Sequence, residues 1–229
     1  MPPKDRRDAQ LPQAEVVCAA PDPIALMKEE HALQLELCEL LEVIADRLPE
    51  EFDAALASIA IAIFQGSVPA HARFEDEALF PLLRRRFAAD DSVIRDLSSL
   101  GAEHDREERV IAALTESLKS AIESRSVRDP EALAVELRRF VVSQRNHIAW
   151  EDTRIVSIAN EVLTERDMAE LQTWIMESDH PRCCHQTLVS IRRARSGREL
   201  CQSCPSAVVA TAGIDATETK PPAYRASEE

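Results

Sequence analysis

From Asp22 onward the apolar residues of this chain recur at alternating spacings of three and four, which places them on one face of successive α-helices. The first predicted helix runs from the Asp22-Pro23 start to about Leu48, with Ile24, Met27, His31, Leu35 (or Gln34), Cys38, Leu41 and Ala45 facing inward. A second stretch from Glu51 to Phe87 aligns Ala60, Phe64, His71, Glu75, Ala78 and Leu82, and Gly66 with Pro69 should either kink it or divide it by a loop. The third follows Asp90 and Asp91 to about Ser124 through Leu97, Leu100, His104, Glu108 (or Glu107), Ile111, Leu114 and Leu118. A fourth opens at Asp129-Pro130 and presents Leu133, Leu137, Phe140, Gln144, His147, Glu151 and Ile155 as far as Asn160. A shorter fifth runs from Thr164 to Ser178, with Asp167 placed for a capping box.

Four long helices with short connections imply an all-α, antiparallel up-and-down four-helix bundle carrying a short fifth helix and a cysteine-containing C-terminal tail. Four glycines and one tyrosine leave little material for a sheet. The expected plan is a disordered leader over 1–21, a bundle over 22–180, a Cys/His/Arg-rich segment over 181–205 and a disordered tail over 206–229. The formal net charge of −14 argues against nucleic acid and anionic membrane as partners. No apolar run approaches a membrane span and no signal peptide follows the basic start, so a cytoplasmic protein with reduced cysteines is expected.

The inner stripes carry chemistry as well as packing. His31, His71, His104 and His147 fall one in each long helix, and glutamates follow three of them by four residues, as His71/Glu75, His104/Glu108 and His147/Glu151. That separation turns both side chains toward one face. A lone histidine on an apolar face is usually a hydrogen-bonded core residue, but four at corresponding heights with buried carboxylates need a compensating charge, which a multivalent cation supplies. Imidazole with carboxylate suits iron, manganese or zinc better than calcium. If Glu75 and Glu151 bridge two ions, each ion gains two carboxylate oxygens and two imidazoles, leaving room for a small exogenous ligand; Glu108 would close one ion.

These segments resemble the hemerythrin-like, HHE cation-binding family over residues 22–160: EEH ending at His31, HARFEDEALFP at 71–81, EHDREE at 103–108 and HIAWED at 147–152. The resemblance implies a non-haem centre of two iron ions, with His31, His71, His104 and His147 as nitrogen ligands and Glu75 and Glu151 as bridges. Oxygen carriers of the family have a second histidine where this chain has Glu108, and Asp152 stands at the spacing of their acidic bridge. The use of HxxxE twice is more similar to the bacterial branch that includes iron-sulfur-cluster repair and nitric-oxide-responsive proteins. The implied partner is a small diatomic ligand or peroxide, in a binding or sensing module, in a di-iron enzyme (peroxidase-like, nitric-oxide-reducing or cluster-repairing), or in an iron store.

A second cluster follows the bundle: His180, Cys183, Cys184 and His185, then Cys201 and Cys204 as CQSC. It reads as a possible zinc site, iron-sulfur site or thiol redox pair, or as a cysteine-bearing tail. Arg192, Arg193, Arg195 and Arg198 lie between its halves and read either as a solvated basic helix or as a surface for an acidic protein partner, the bundle itself or nucleic acid.

Overall fold

A computed structural model describes residues 21–88, 91–181 and 191; residues 1–20 and 192–229, which include nearly all of the expected leader and the whole expected tail, lie outside the described residues. The described residues form helices and no strand. The first helix, α1 (Pro23–Arg47), starts as its sequence predicts: the amides of Ile24 and Ala25 donate to Asp22 Oδ1 at 2.9 and 3.1 Å. Gln34 rather than Leu35 takes the inner position, buried where Leu35 is 37% exposed.

The second bundle element is continuous from Ala54 to Arg86 but changes its winding twice. It comprises α2 (Ala54–Gln65), α3 (Ser67–Phe74), a π-turn over Glu75–Leu79 and α4 (Phe80–Arg86). Gly66 joins α2 to α3: its amide donates to the Ile63 carbonyl at 3.3 Å, and a methyl group there would stand 3.1 Å from the Ala62 oxygen. Pro69 has no amide to donate to Gln65, so the helix kinks without leaving its path. Pro81 similarly cannot bond to Glu77, and the extra residue of the π-turn is absorbed just before it, with the Phe80 amide donating to the Glu75 carbonyl. Contrary to the expectation that no apolar run approaches a membrane span, Ala54–Arg86 is by length and apolar composition sufficient to cross one, because the winding runs on through Gly66 and Pro69; here Leu56, Ala57, Ala60, Ile63 and Phe64 of its first half are buried in the bundle core.

The third helix, α5 (Asp91–Ser124), is followed by Arg125 at φ 54°, and the Ser126 amide returns to the Ala121 carbonyl at 3.2 Å. Next come α6 (Pro130–Val162), capped by Asp129, and α7 (Glu165–Glu177), opened by a capping box between Thr164 and Asp167. α1 packs extensively on α6 and α2 on α5, whereas α5 and α6 touch much less.

The core is in two parts. One gathers Leu33, Leu37, Leu41, Phe64, Leu114, Leu118, Leu137 and Phe140; the other gathers Met27, Phe74, Leu79, Phe80, Leu97, Leu100, Ile155, Leu171 and Ile175. The histidines and glutamates fall between them. Chain direction therefore alternates among the four bundle elements, since α1 and α5 pass between the two cores in one sense and α3 and α6 in the other.

Candidate metal centre

Polar residues take over the inner stripes at one level of the bundle, and six of their side chains converge there. His31, His71, Glu75 and Glu151 form one group, and Glu75, His104, His147 and Glu151 another, with donor atoms in each within 4.8 Å of one another. All six residues are buried, and both glutamates are completely so. Glu151 Oε2 faces His31 Nε2 at 3.3 Å and His71 Nε2 at 4.0 Å, while its Oε1 faces His147 Nε2 at 3.0 Å and His104 Nε2 at 3.8 Å. Glu75 Oε2 stands 3.6 Å from His71 Nε2 and 3.2 Å from His104 Nε2. The two carboxylates are thus shared between two imidazole pairs.

The atoms turned inward have no hydrogen-bond partner: the Nε2 atoms of His31, His71 and His104 and all four carboxylate oxygens of Glu75 and Glu151 are buried and unsatisfied. Buried polar atoms seldom remain so, because each forfeits its hydration. Imidazole nitrogens and carboxylate oxygens facing a common centre are the donor set of a cation such as iron, manganese or zinc, so these residues fit a metal pair.

The outward nitrogens are all held. Nδ1 of His31 meets Asp152 at 2.8 Å, that of His71 meets Glu30 at 2.9 Å, that of His104 meets Asp76 at 2.9 Å and that of His147 meets Glu103 at 3.1 Å. These contacts run α1 to α6, α6 to α5, α5 to the π-turn and α3 back to α1, closing a ring of carboxylates around the histidines. Such partners fix each ring's orientation and leave Nε2 free for a metal. Consecutive residues serve opposite nitrogens of one ring, Glu75 at His104 Nε2 and Asp76 at Nδ1. Glu151 and Asp152 do the same for His31.

The electrostatics follow. Burial works against charge on His104, yet its hydrogen bond to Asp76 and the facing carboxylates of Glu151 and Glu75 push its pKa up to about 12. Burial is likewise outweighed at His147, where Glu151 and Glu103 raise it to about 9, and at His71, raised well above the usual value by Glu75, Glu151 and Glu30. Burial alone would lift Glu151, but the four imidazoles facing it hold its carboxyl far below the usual range. Glu75 goes the other way, raised by burial and by the neighbouring Glu151. One carboxylate pair with split proton affinities beside the three raised imidazoles of His71, His104 and His147 is what a cation would discharge.

Two expected positions fall elsewhere. Glu108 is exposed and belongs to neither group; Glu107 turns inward instead, because α5 keeps the alternation Leu97, Leu100, His104, Glu107, Ile111, Leu114, Leu118. The proposed closing ligand is thus moved off the site by one residue of helix phase. His180, expected with the C-terminal cysteines, is buried against the bundle with Nε2 2.7 Å from Glu30 Oε1 and its ring beside Phe74 and Trp174. Cys183, Cys184, His185, Cys201 and Cys204 lie outside the described residues, and with them any zinc or iron-sulfur site there. Cys38 is fully buried, and burial pushes its thiol up to about 12, leaving it a packing residue. Glu30, Asp76 and Glu103 escaped the periodicity reading, although the repeated order Glu-His in α1 and α5 and His-x-x-x-Glu-Asp in α3 and α6 carried the signal.

Residues 22–159 match the family model of the hemerythrin HHE cation-binding domain. The chain belongs to that family and is a metal-binding helical bundle of the hemerythrin type. No curated protein and no solved structure matches it.

Proposed function

We propose that this protein holds two non-haem iron ions between the imidazole pairs His31/His71 and His104/His147, bridged by Glu75 and Glu151, and binds or senses oxygen, nitric oxide or peroxide there. The observation that carries this is the sharing of both buried glutamates by two four-residue groups, which supplies two equivalent nests of two nitrogens and two carboxylates. Iron bound in such a set would offer a reducible Lewis-acid centre to a small ligand. The chain's own part is to orient the rings through Asp152, Glu30, Asp76 and Glu103, to keep bulk water from the bridging carboxylates, and to compensate charge when the metal load changes.

The test is metal content per chain after purification without added metal, with optical spectra before and after air and nitric oxide. The expected result is close to two irons per chain with ligand-dependent absorption, and a His71→Ala/His147→Ala double variant that stays helical but retains only a trace of metal. Full metal retention in that double variant would defeat the ligand assignment.

A further inference from the structure

The chain leaves α7 and turns back onto the metal centre. Ser178 ends the helix, and Pro181 disfavours helical backbone at the residue before it, His180. The His180 amide donates to Ser178 Oγ at 3.3 Å, and its side chain, 1% exposed, returns between α1, α3 and α7. There the rings of His180, Phe74 and Trp174 stand 5.6 to 5.8 Å from one another.

Glu30 is placed between two imidazoles: its Oε2 accepts from His71 Nδ1 at 2.9 Å, and its Oε1 stands 2.7 Å from His180 Nε2. The second contact is off the angle of a hydrogen bond, and neither of its atoms has a hydrogen-bond partner elsewhere. The other three carboxylates behind the rings, Asp76, Glu103 and Asp152, are 40 to 46% exposed, so water can complete their shells. Glu30, at 2%, has no such recourse, and His180 is what compensates its second oxygen.

This asymmetry divides the metal pair. His71 shares its nest with His31, whereas both rings of the other nest, His104 and His147, lean on exposed carboxylates. A cleft of about 800 Å³ between α5 and α6 is lined by His147 and Glu103, and one of about 390 Å³ between α2/α3 and α5 by His104; His31 and His71 line neither.

We propose that His180 is a positioning residue of the metal pair, holding Glu30 and through it the His71 ring, so that the His31/His71 nest retains its ion while the His104/His147 nest exchanges. The inference rests on the two-ion reading above. A carboxylate held at both oxygens cannot swing, and an imidazole whose outer nitrogen is fixed keeps its inner nitrogen aimed at the ion. At the other nest water competes for the carboxylates, and the clefts bring solvent to the rings that hold the ion.

The test uses the full chain loaded with iron(II) without air and challenged with an excess of a chromogenic chelator. Iron per chain and the unfolding temperature of the metal-free form are measured for every variant. Wild type should release its iron in two phases of about one ion each, about tenfold or more apart in rate. His180→Phe, which fills the space beside Phe74 and Trp174 but cannot donate to Glu30, should speed the slow phase about tenfold and leave the fast phase within about twofold. His180→Gln, which donates but lacks the ring, should keep the slow phase near the wild-type rate. In a Glu30→Gln background the His180→Phe change should add less than about twofold, as for two residues acting through one contact. If the phenylalanine variant does not fold, His180→Ala stands in for it with the same expectation. A slow phase kept in His180→Phe and lost in His180→Gln would overturn the proposal by making His180 a packing residue, and would leave the two-ion reading intact. Release of both ions from wild type in one phase would overturn it too. A wild-type chain that takes up no iron would remove the two-ion reading and the positioning role together.

Discussion

The smallest determinant of this site is the neighbour in sequence of each ligand residue. A ligand chosen for the inner stripe has an adjacent residue rotated by about 100° toward the next helix, and in this chain that adjacent residue is acidic wherever a ring needs a partner. Asp76, Glu103 and Asp152 are 40 to 46% exposed and can be charged cheaply, whereas Glu30 is 2% exposed and gains a second imidazole, His180. Hydrogen bonds from His180 and His71 overcome burial and hold the Glu30 carboxyl below its usual range. Removing one of these partners should spare the fold and loosen the metal: Asp76→Asn and Asp152→Asn are expected to weaken metal affinity by about 10- to 100-fold. Competition with a chelator measures this, and affinities equal to wild type would deny the ring of carboxylates a role. The six inward residues were legible in the sequence because a histidine in an apolar stripe breaks its pattern. Glu107 and Glu108 were not separable by residue type, only by helix phase carried across the whole of α5.

At the level of elements, three helix starts were readable because Asp22, Asp129 and Thr164 each precede a helical run and accept its first free amides, whereas the second stretch, expected from Glu51, is capped two residues later by Asp53. The π-turn was not readable, since a π-turn is set by where one surplus residue is least costly, and that depends on Pro81 and on the grip of Glu75 and Asp76 on His104 together. Gly66 with Pro69 marked a disturbance without saying whether the chain turned away, and only packing of Val68 and Phe64 into one core keeps α2 and α3 in line. α7 offers a direct test of an element's anchoring. Asp167 accepts from the Thr164 amide at 2.8 Å and its hydroxyl at 2.6 Å and pairs with Arg86 of α4, which lowers its pKa to about 2. Asp167→Ala should cost about 1 to 2 kcal/mol in chemical denaturation while leaving metal content unchanged. Because the folded pKa lies below the ordinary value of 3.8, this contribution is present above that value and disappears as pH falls through about 2.

In the molecule as a whole, two apolar cores enclose a layer whose charges balance only when protons or metal ions fill it. Protons do so in the metal-free state. His147 and His104 have folded pKa values raised from 6.5 to about 9 and about 12, so the stability they contribute is complete below 6.5 and is lost as pH rises through those values. Glu151, depressed below 4.5, contributes above that value and fails as pH falls through its lowered pKa. Glu75, raised above 4.5, loses its contribution as pH rises through its folded pKa, so the metal-free protein should be most stable just above 4.5 and lose thermal stability toward about pH 9. A bound cation displaces these same protons, so its affinity rises with pH over the window in which the metal-free protein weakens. At a metal concentration about 100 times the dissociation constant, binding adds about 2.7 kcal/mol, and that increment should widen from about pH 6.5 to pH 9. Thermal unfolding of the metal-free and iron-loaded chain across this range measures both trends at once. Parallel pH profiles with a constant gap would mean that the layer is not discharged by metal, and the buried histidines would then serve the packing of the bundle alone.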